Sequence, residues 1–277
     1  VETLTSTTTT AIDAADLTGQ TLIIKSDAGA ADAITVATGG TGAVADLSGL
    51  TLITATLALN GGAGNDTLTG SLASVTTISG GNGADTSTGG NAADKINGEA
   101  GADEVTAGEG ADLIIVNGGD TVDLSETTSA IDTIILNATN GGSAAGAVGG
   151  TLTGYNNITG FNATNDIVIA ESNDDYTADI TSVVFDNTVI ITSSDAATAS
   201  KDLTDADFTN VDKLTLFLND SAGYAHNVAA EDDLVAVTFS DFTALYVVGG
   251  SDATIAETEI SLIAVLDDVM TTAVDIV

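Results

Sequence analysis

Residues 61–69 read Gly61-Gly-Ala-Gly-Asn-Asp-Thr-Leu-Thr69, and this nine-residue pattern returns four more times in the 277-residue chain. The later copies occupy residues 80–88, 89–97, 98–106 and 107–115. The copies follow the pattern Gly-Gly-x-Gly-x-Asp-x-U-x, in which U is a large apolar residue; the aspartate is present in all five, and only Ser87 breaks the apolar position. The aspartates of the five copies are Asp66, Asp85, Asp94, Asp103 and Asp112.

The composition of one copy predicts a turn followed by a short strand. The first six residues form the turn, because glycine adopts backbone angles that other residues avoid. The last three form a strand whose one large side chain points inward. Two copies make a coil of 18 residues, and coils stack roughly 4.8 Å apart. The spacing therefore predicts that Asp85 stacks on Asp103 and Asp94 on Asp112, with Asp66 close to Asp85.

Stacked aspartates need a counter-charge. Carboxylates that lie this close together repel each other by several kcal/mol at a modest effective dielectric. Calcium fits such a place, since it accepts six to eight oxygen ligands in flexible geometry from carboxylates and main-chain carbonyls. The alternative is an array of solvated Asp/Gly loops without metal, but that alternative explains neither the register nor the inward apolar position.

These copies resemble the repeats of the RTX (repeat-in-toxin) family, Gram-negative proteins exported by type I secretion. The resemblance implies an all-β fold, a right-handed parallel β-roll with calcium between successive turns. It also implies that the ligands are the five aspartates together with main-chain carbonyls of the turns. The implied carbonyl ligands belong to Gly62, Gly64, Gly81, Gly83, Gly90, Ala92, Glu99, Gly101, Gly108 and Gly110.

Besides Ser87, the chain departs from the family pattern at four places. Ala92 replaces the fourth glycine of its turn, Glu99 the second and Ala107 the first. The segment 70–79 has ten residues, and Val75 stands where an aspartate is expected. We therefore expect no complete calcium site in that turn.

The charge balance excludes some partners. The chain has 40 acidic residues against four Lys and Arg, for a formal net charge of −36. Nucleic acid and anionic membrane surfaces would repel it. Because 43% of the residues are apolar, we expect a folded chain that needs cations, although part of the acidity also serves solubility. The apolar runs are too short to cross a bilayer, so the protein is not expected to be membrane-embedded.

Three domains are predicted. Residues 1–60 are expected to form β-solenoid repeats without calcium motifs, with strands at 21–25, 33–37, 51–55 and 56–60. Their first twenty residues resemble the Thr/Ala/Gly-rich repeats of RTX-type S-layer proteins, and they contain no signal peptide. This beginning indicates that an upstream portion precedes Val1; an ordinary β-rich cap is the alternative. Residues 61–169 are expected to form the calcium roll and its closing cap.

The cap and the third domain follow from the remaining sequence. Asp132 is a candidate for the last calcium ligand. The segment 157–169 resembles the end of RTX rolls, and this resemblance implies that Asp166 closes the last turn and Phe161 covers the core. Residues 170–277 are expected to form a β-rich domain with strands at 183–192, 214–218, 234–239, 244–248 and 260–266, and a short helix near 221–231. This domain resembles the terminal domain of S-layer proteins, and residues 273–277 resemble a type I secretion signal.

The residues needed for common enzyme chemistry are missing. His226 is the only histidine and there is no cysteine, so a zinc protease site of paired histidines cannot form. No nucleophile-elbow motif accompanies His226. Acidic residues from which a carboxylate pair for glycoside hydrolysis could form are abundant, but 4% aromatic residues without tryptophan make a poor sugar platform. We predict that the protein is not an enzyme.

Two functions of different classes follow. The first is a secreted, calcium-dependent structural protein that self-assembles at the surface of a Gram-negative cell, as an S-layer lattice or a filament. Its expected partners are further copies of itself, cell-surface polysaccharide, and the type I secretion machinery during export. The alternative is the calcium-folded secretion module of an RTX exoenzyme or toxin whose catalytic part lies outside this segment. A binding module or adhesin is a third possibility.

Overall fold

A computed structural model describes the fold of residues 2–6, 10–13, 22–26, 32–37, 42–53, 55–137, 153–163, 165–171, 188–192, 202–221, 233–249, 254–256 and 259–268. The chain divides into two compact units, Val1–Ile134 and Ile135–Val277. The domain boundaries predicted from the sequence at residues 60 and 169 stay a prediction.

The first unit is a parallel β-solenoid. Every strand pairing recorded within it is parallel. Its strands are β1 (Glu2–Ser6), β2 (Thr10–Asp13), β3 (Leu22–Ser26), β4 (Asp32–Ala37), β5 (Val44–Asp46), β6 (Leu50–Ile53), β7 (Ala55–Ala63), β8 (Thr67–Thr69), β9 (Thr76–Asn82), β10 (Thr86–Gly90), β11 (Lys95–Ala100), β12 (Glu104–Gly108), β13 (Leu113–Val116) and β14 (Thr121–Asp123). The predicted all-β roll is confirmed.

Alternate strands of the roll stack into two facing sheets. One sheet runs in the order β14-β12-β10-β8-β5 and the other in the order β13-β11-β9-β7-β4-β2. Strands that follow one another in sequence thus lie in opposite sheets, so one coil contains one strand of each. β1, β3 and β6 form a third, three-stranded sheet.

The core of the roll is built from the apolar position of the repeat. Ile96 pairs in register with Ile78 and Ile114, and all three side chains are buried. In the facing sheet Ser87 pairs with Leu68 and Val105, and these are also buried. The inward direction predicted for position eight is therefore confirmed, including for the one polar residue.

The second unit contains a mixed sheet. β18 (Thr188–Thr192) and β19 (Asp233–Thr238) pair in parallel, and β19, β20 (Thr243–Val248) and β21 (Ile260–Leu266) form antiparallel neighbours. β16 (Asn156–Thr159) pairs in parallel with β21. β17 (Ile167–Glu171) lies in this unit, and β15 (Thr133–Asn137) crosses the boundary of the two units.

A helix, α1 (Val211–Leu218), packs on this sheet and corrects the strand predicted at 214–218. Its buried residues Val211, Leu214, Phe217 and Leu218 follow helical spacing. Asn210 caps its N-terminus, because the Asn210 side chain accepts a hydrogen bond from the Lys213 backbone N–H at 3.1 Å. The buried helical residues join strand residues such as Tyr246 and Leu262 in one apolar cluster. Most of the helix predicted near 221–231 lies outside the described residues.

Candidate metal centre

The five repeat aspartates are buried and form two columns, one on each edge of the roll. The first edge carries Asp66, Asp85 and Asp103, and the second edge carries Asp94 and Asp112. The backbone N–H of Asp66 donates to Asp85 Oδ1 at 2.7 Å, that of Asp85 to Asp103 Oδ1 at 2.8 Å, and that of Asp94 to Asp112 Oδ1 at 2.7 Å. The stacking predicted from the spacing of 18 and 19 residues is confirmed.

The second oxygen of each carboxylate, Oδ2, accepts no such hydrogen bond. Oδ2 of all five aspartates is buried and lacks a hydrogen-bond partner among the described residues. The five residues are only 2–3% exposed. A buried polar atom without a partner costs about 1–3 kcal/mol, and more when it is charged. Five such oxygens in a regular array therefore point to a ligand that the protein chain does not supply.

A main-chain carbonyl lies beside the unpartnered oxygen in three of the turns. A β-carbon added to Gly61 would stand 2.9 Å from Asp66 Oδ2 and 2.3 Å from the Gly80 carbonyl oxygen. A β-carbon added to Gly80 would stand 2.6 Å from Asp85 Oδ2 and 2.7 Å from the Gly98 carbonyl oxygen. A β-carbon added to Gly89 would stand 2.9 Å from Asp94 Oδ2 and 2.2 Å from the Ala107 carbonyl oxygen. The first glycine of these three turns thus lies against both a carboxylate oxygen and a main-chain carbonyl oxygen, and a side chain there would meet both.

The protonation behaviour of the aspartates agrees with this placement. Burial is the largest cause that raises the pKa of Asp94 to about 6 and the pKa values of Asp103 and Asp112 to about 7. Burial also raises the pKa of Asp85. Neighbouring negative charges add to the effect at Asp103 and Asp112. Without a cation, the protein resists having all of these groups ionised together.

Most predicted carbonyl ligands lie in glycines with left-handed backbone. Gly62, Gly64, Gly81, Gly83, Gly101, Gly108 and Gly110 have φ between 100° and 159°. Gly90 and Ala92 do not share this conformation.

Glu99 is the one non-glycine among the described residues with positive φ, at 67°. Its carboxylate accepts a hydrogen bond from Ser79 Oγ. Its carbonyl oxygen, a predicted ligand, accepts one from Asn117 Nδ2 at 2.8 Å. Residues held in such sparsely populated backbone regions are often found at binding sites.

The ten-residue turn at 70–79 contains a hydroxyl in the place of a carboxylate. Val75, predicted to stand at the aspartate position, is 51% exposed. Thr76 occupies that position instead, because its N–H donates to Asp94 Oδ1 at 2.6 Å and its Oγ1 lies 3.1 Å from where a β-carbon of Gly70 would be. Thr76 Oγ1 accepts from the Ser71 N–H at 3.2 Å and donates to the Ser74 carbonyl at 3.1 Å. The hydroxyl, as donor and acceptor, thus joins both ends of the turn.

Two aspartates after the fifth repeat continue the columns. The Asp112 N–H donates to Asp132 Oδ1 at 2.9 Å on the second edge. On the first edge the Asp103 N–H donates to Asp120 Oδ1 at 3.0 Å, and Asp120 Oδ2 accepts from the Asn117 N–H at 3.0 Å. Sequence reasoning included Asp132 but missed Asp120, which comes eight residues after Asp112 instead of nine. The dipeptide Gly118-Gly119 before it was the available signal.

Asp166 lies in the second unit and closes a local turn. Its Oδ2 accepts from the Asn162 N–H at 2.8 Å, and its own N–H donates to the Asn162 carbonyl at 2.8 Å. Phe161, predicted to cover the core, is buried. His226 falls outside the described residues.

Side chains alone do not complete a site. Among the described residues, no three Asp, Glu, His or Cys side chains converge as a metal-binding group. A cation on either edge would therefore need main-chain carbonyls in addition to the aspartates. This donor set contains only oxygen, which suits calcium and not zinc or copper.

Comparison with known proteins supports the same assignment. A family model of the RTX calcium-binding nonapeptide repeat matches in four copies, over residues 58–72 and 79–114. The interval between the two matches contains most of the ten-residue turn closed by Thr76. No curated protein and no solved structure matches the chain. Among the described residues, no helix combines the length and apolar character needed to cross a membrane. The matched residues are thus calcium-binding RTX repeats, which support the RTX family and are typical of secreted bacterial proteins.

Proposed function

We propose that this chain is a secreted structural protein that folds on binding calcium and then self-assembles at the surface of a Gram-negative cell, as a lattice or filament. The observation that carries the calcium part is the set of five buried Oδ2 atoms without a partner. The proposed ligands are these oxygens and the turn carbonyls beside them.

Bound calcium supplies positive charge between stacked turns. The chain supplies the rest of the arrangement. Oδ1 of each aspartate accepts a hydrogen bond from a backbone N–H of an earlier coil, and in three turns Oδ2 lies against the first glycine, where a main-chain carbonyl oxygen also lies. Asp132 would extend the ligand set of the second edge. For Asp166, whose Oδ2 is bonded within its own turn, we propose a role in turn closure.

Calcium binding at extracellular concentrations would control folding. Extracellular modules typically bind calcium at about 10⁻⁴–10⁻³ M. A site at a hundred times its dissociation constant adds about 2.7 kcal/mol of stability. A few such sites are comparable with the whole stability of a small domain, about 5–15 kcal/mol. The roll would stay unfolded in the cytoplasm, where it can be exported, and would fold outside.

The charge and the sheet edges support self-assembly. A net charge of −36 keeps metal-free copies apart by mutual repulsion, and calcium lowers that repulsion. Among the described residues, β18 lies at one end of its sheet. An edge strand presents backbone groups that another chain can pair with. A copy of the same chain is the partner that a surface lattice requires.

A calcium titration tests both parts of the proposal. Far-UV circular dichroism should show β structure appearing between chelator and millimolar calcium, and light scattering at constant ionic strength should then show association. Electron microscopy should show sheets or filaments. The variant Asp103→Ala should bind fewer calcium ions than Asp241→Ala, a control at an exposed aspartate of the second unit.

The outcomes separate the candidate functions. Unchanged β content across the titration would contradict calcium-driven folding. Calcium-dependent folding without association, even at high protein concentration, would favour the secretion module of a larger exported protein.

A further inference from the structure

The turn 160–163, which follows β16 in the second unit, presents successive backbone N–H groups to one carboxylate. Asp267 Oδ2 accepts from the Gly160 N–H at 2.8 Å, and Asp267 Oδ1 accepts from the Phe161 N–H at 3.0 Å. Gly160 has a left-handed backbone, with φ of 73°. Successive N–H groups in a turn of this kind form a concave site for an anion, called a nest. The two oxygens of Asp267 fill this nest.

Two more carboxylates complete the set of acceptors in the turn. Asp268 Oδ2 accepts from the Ala163 N–H at 3.1 Å. The Asn162 N–H donates to Asp166 Oδ2 at 2.8 Å, a bond within the local segment. Three of the four N–H groups are therefore held by the two residues that directly follow β21. Hydrogen bonds to ionised acceptors are roughly twice as strong as those between neutral groups.

The register of two strands brings Asp267 to the turn. β16 and β21 pair in parallel, with Ile158 opposite Leu266. The Asp267 N–H donates to the Ile158 carbonyl at 3.1 Å, so the ladder continues one residue past the end of β21. At the other end of the pair, Nδ2 of the buried Asn156 donates to the Ile263 carbonyl at 3.1 Å. The pair is thus joined at both ends, and Asp267 stands beside the turn.

The segments that meet here lie far apart in the chain. The Gly160 and Phe161 N–H donors are 107 and 106 residues from Asp267 in sequence. Bringing such distant segments together costs conformational entropy, which the pairing of the strands must offset. Since Asp267 and Asp268 directly follow β21, the turn gains three of its four acceptors only when β21 is in place.

We propose that Asp267 and Asp268 form a carboxylate latch that holds the turn 160–163 against the end of β21 and so closes the second unit. While β21 is undocked, the nest is open to water. Docking of β21 on β16 fills the nest, and the filled nest in turn holds the strand pair closed. The carboxylates of the latch are held by backbone N–H groups, so the latch is distinct from the calcium-dependent folding proposed above.

Amide hydrogen exchange of the full chain in millimolar calcium tests the latch. Asp267→Ala removes both bonds to the nest, and Asp267→Asn keeps one carbonyl acceptor without the charge. Asp241→Ala is the matched control, because Asp241 is an exposed aspartate of the same unit. Exchange is followed by mass spectrometry in peptides that cover the turn, β21 and α1.

We expect Asp267→Ala to speed exchange both in the turn and in β21, by roughly three- to tenfold relative to Asp241→Ala, because the latch limits local opening of both segments. Asp267 is exposed, and competition with water keeps the effect to that size. Asp267→Asn should give a smaller increase in the same two segments. α1 should keep its protection in Asp267→Asn, which shows that the unit is still folded.

Two results would overturn the latch. Faster exchange confined to the turn, with β21 unchanged, would make Asp267 a local cap of the turn. Equal exchange in Asp267→Ala and Asp241→Ala would leave the bonds without any holding effect. If Asp267→Ala loses protection throughout the second unit, Asp267→Asn decides: faster exchange of the turn and β21 with α1 protected supports the latch, and unchanged exchange overturns it.

Discussion

At the scale of single residues, Ser87 is a weak point in the core of the roll. It is 1% exposed, its hydroxyl lacks a partner among the described residues, and it lies between Leu68 and Val105 in register. Ser87→Val removes the unsatisfied hydroxyl and adds apolar volume where the neighbouring coils carry larger side chains. We expect the free energy of unfolding in calcium to rise by about 1–2 kcal/mol, measured by urea denaturation.

An outward-facing position provides the control for Ser87. Thr67→Val makes a similar hydroxyl-to-methyl change at an exposed position of β8, and such surface changes usually stay within about 0.5 kcal/mol. If Ser87→Val were less stable than the unsubstituted protein, the core between Leu68 and Val105 would have no room for the two extra carbon atoms.

At the scale of one element, the turn at 70–79 should hold without metal. Thr76→Val keeps the shape of the side chain but removes the bonds to the Ser71 N–H and the Ser74 carbonyl. We expect a loss of about 1–3 kcal/mol in the free energy of unfolding in calcium, because a buried N–H loses its acceptor. The number of calcium ions bound, measured by calorimetry, should not change.

The neighbouring Thr77, exposed on the same strand, is the matched control for this turn. Thr77→Val should change neither stability nor ion count. A lower ion count in Thr76→Val would show that the turn binds metal after all.

At the level of elements, the sequence predicts the regular repeats better than the irregular turns that interrupt or follow them. A period of nine fixes both the aspartate columns and the inward residues, because one local pattern sets turn and strand together. One extra residue before Thr76 shifts the position that corresponds to the repeat aspartate by one. Asp120 lies eight residues after Asp112, one fewer than the repeat requires. Neither shift can be read from a fixed spacing.

The one misassigned element shows a similar limit. The stretch 214–218 is apolar enough for a buried strand, and short apolar runs do not distinguish strand from helix. The helical spacing becomes visible only when Val211 is included, and Asn210 with Asp212 provides the start signal.

At the scale of the whole roll, stability without calcium should depend on pH. The folded roll raises the pKa of Asp94 to about 6 and those of Asp103 and Asp112 to about 7, chiefly by burial. Between pH 4 and 7 the folded state therefore binds protons that the unfolded chain has released, so stability falls as pH rises. Circular dichroism of calcium-stripped protein should show more β structure at pH 5 than at pH 7.5.

Calcium should reverse this dependence, because protons compete with the metal for the same carboxylates. Asp103→Asn removes one of the titrating groups and should reduce the pH dependence of the stripped protein at constant ionic strength. If the stripped protein gained β structure as pH rose, the raised pKa values would be wrong.

The aspartate columns also have a direction. In every stacked pair, the coil that comes later in the chain offers the carboxylate, and the earlier coil offers the backbone N–H. The two ends of such a column are therefore unlike: each begins with a backbone N–H, that of Ala43 donating to Asp66 Oδ1 or that of Thr76 donating to Asp94 Oδ1, and ends with an aspartate. A second copy that stacked on such a column would keep the direction of these hydrogen bonds only in a head-to-tail arrangement. Head-to-tail contacts do not close on themselves as two-fold dimers do, and repeated along one axis they generate open fibres.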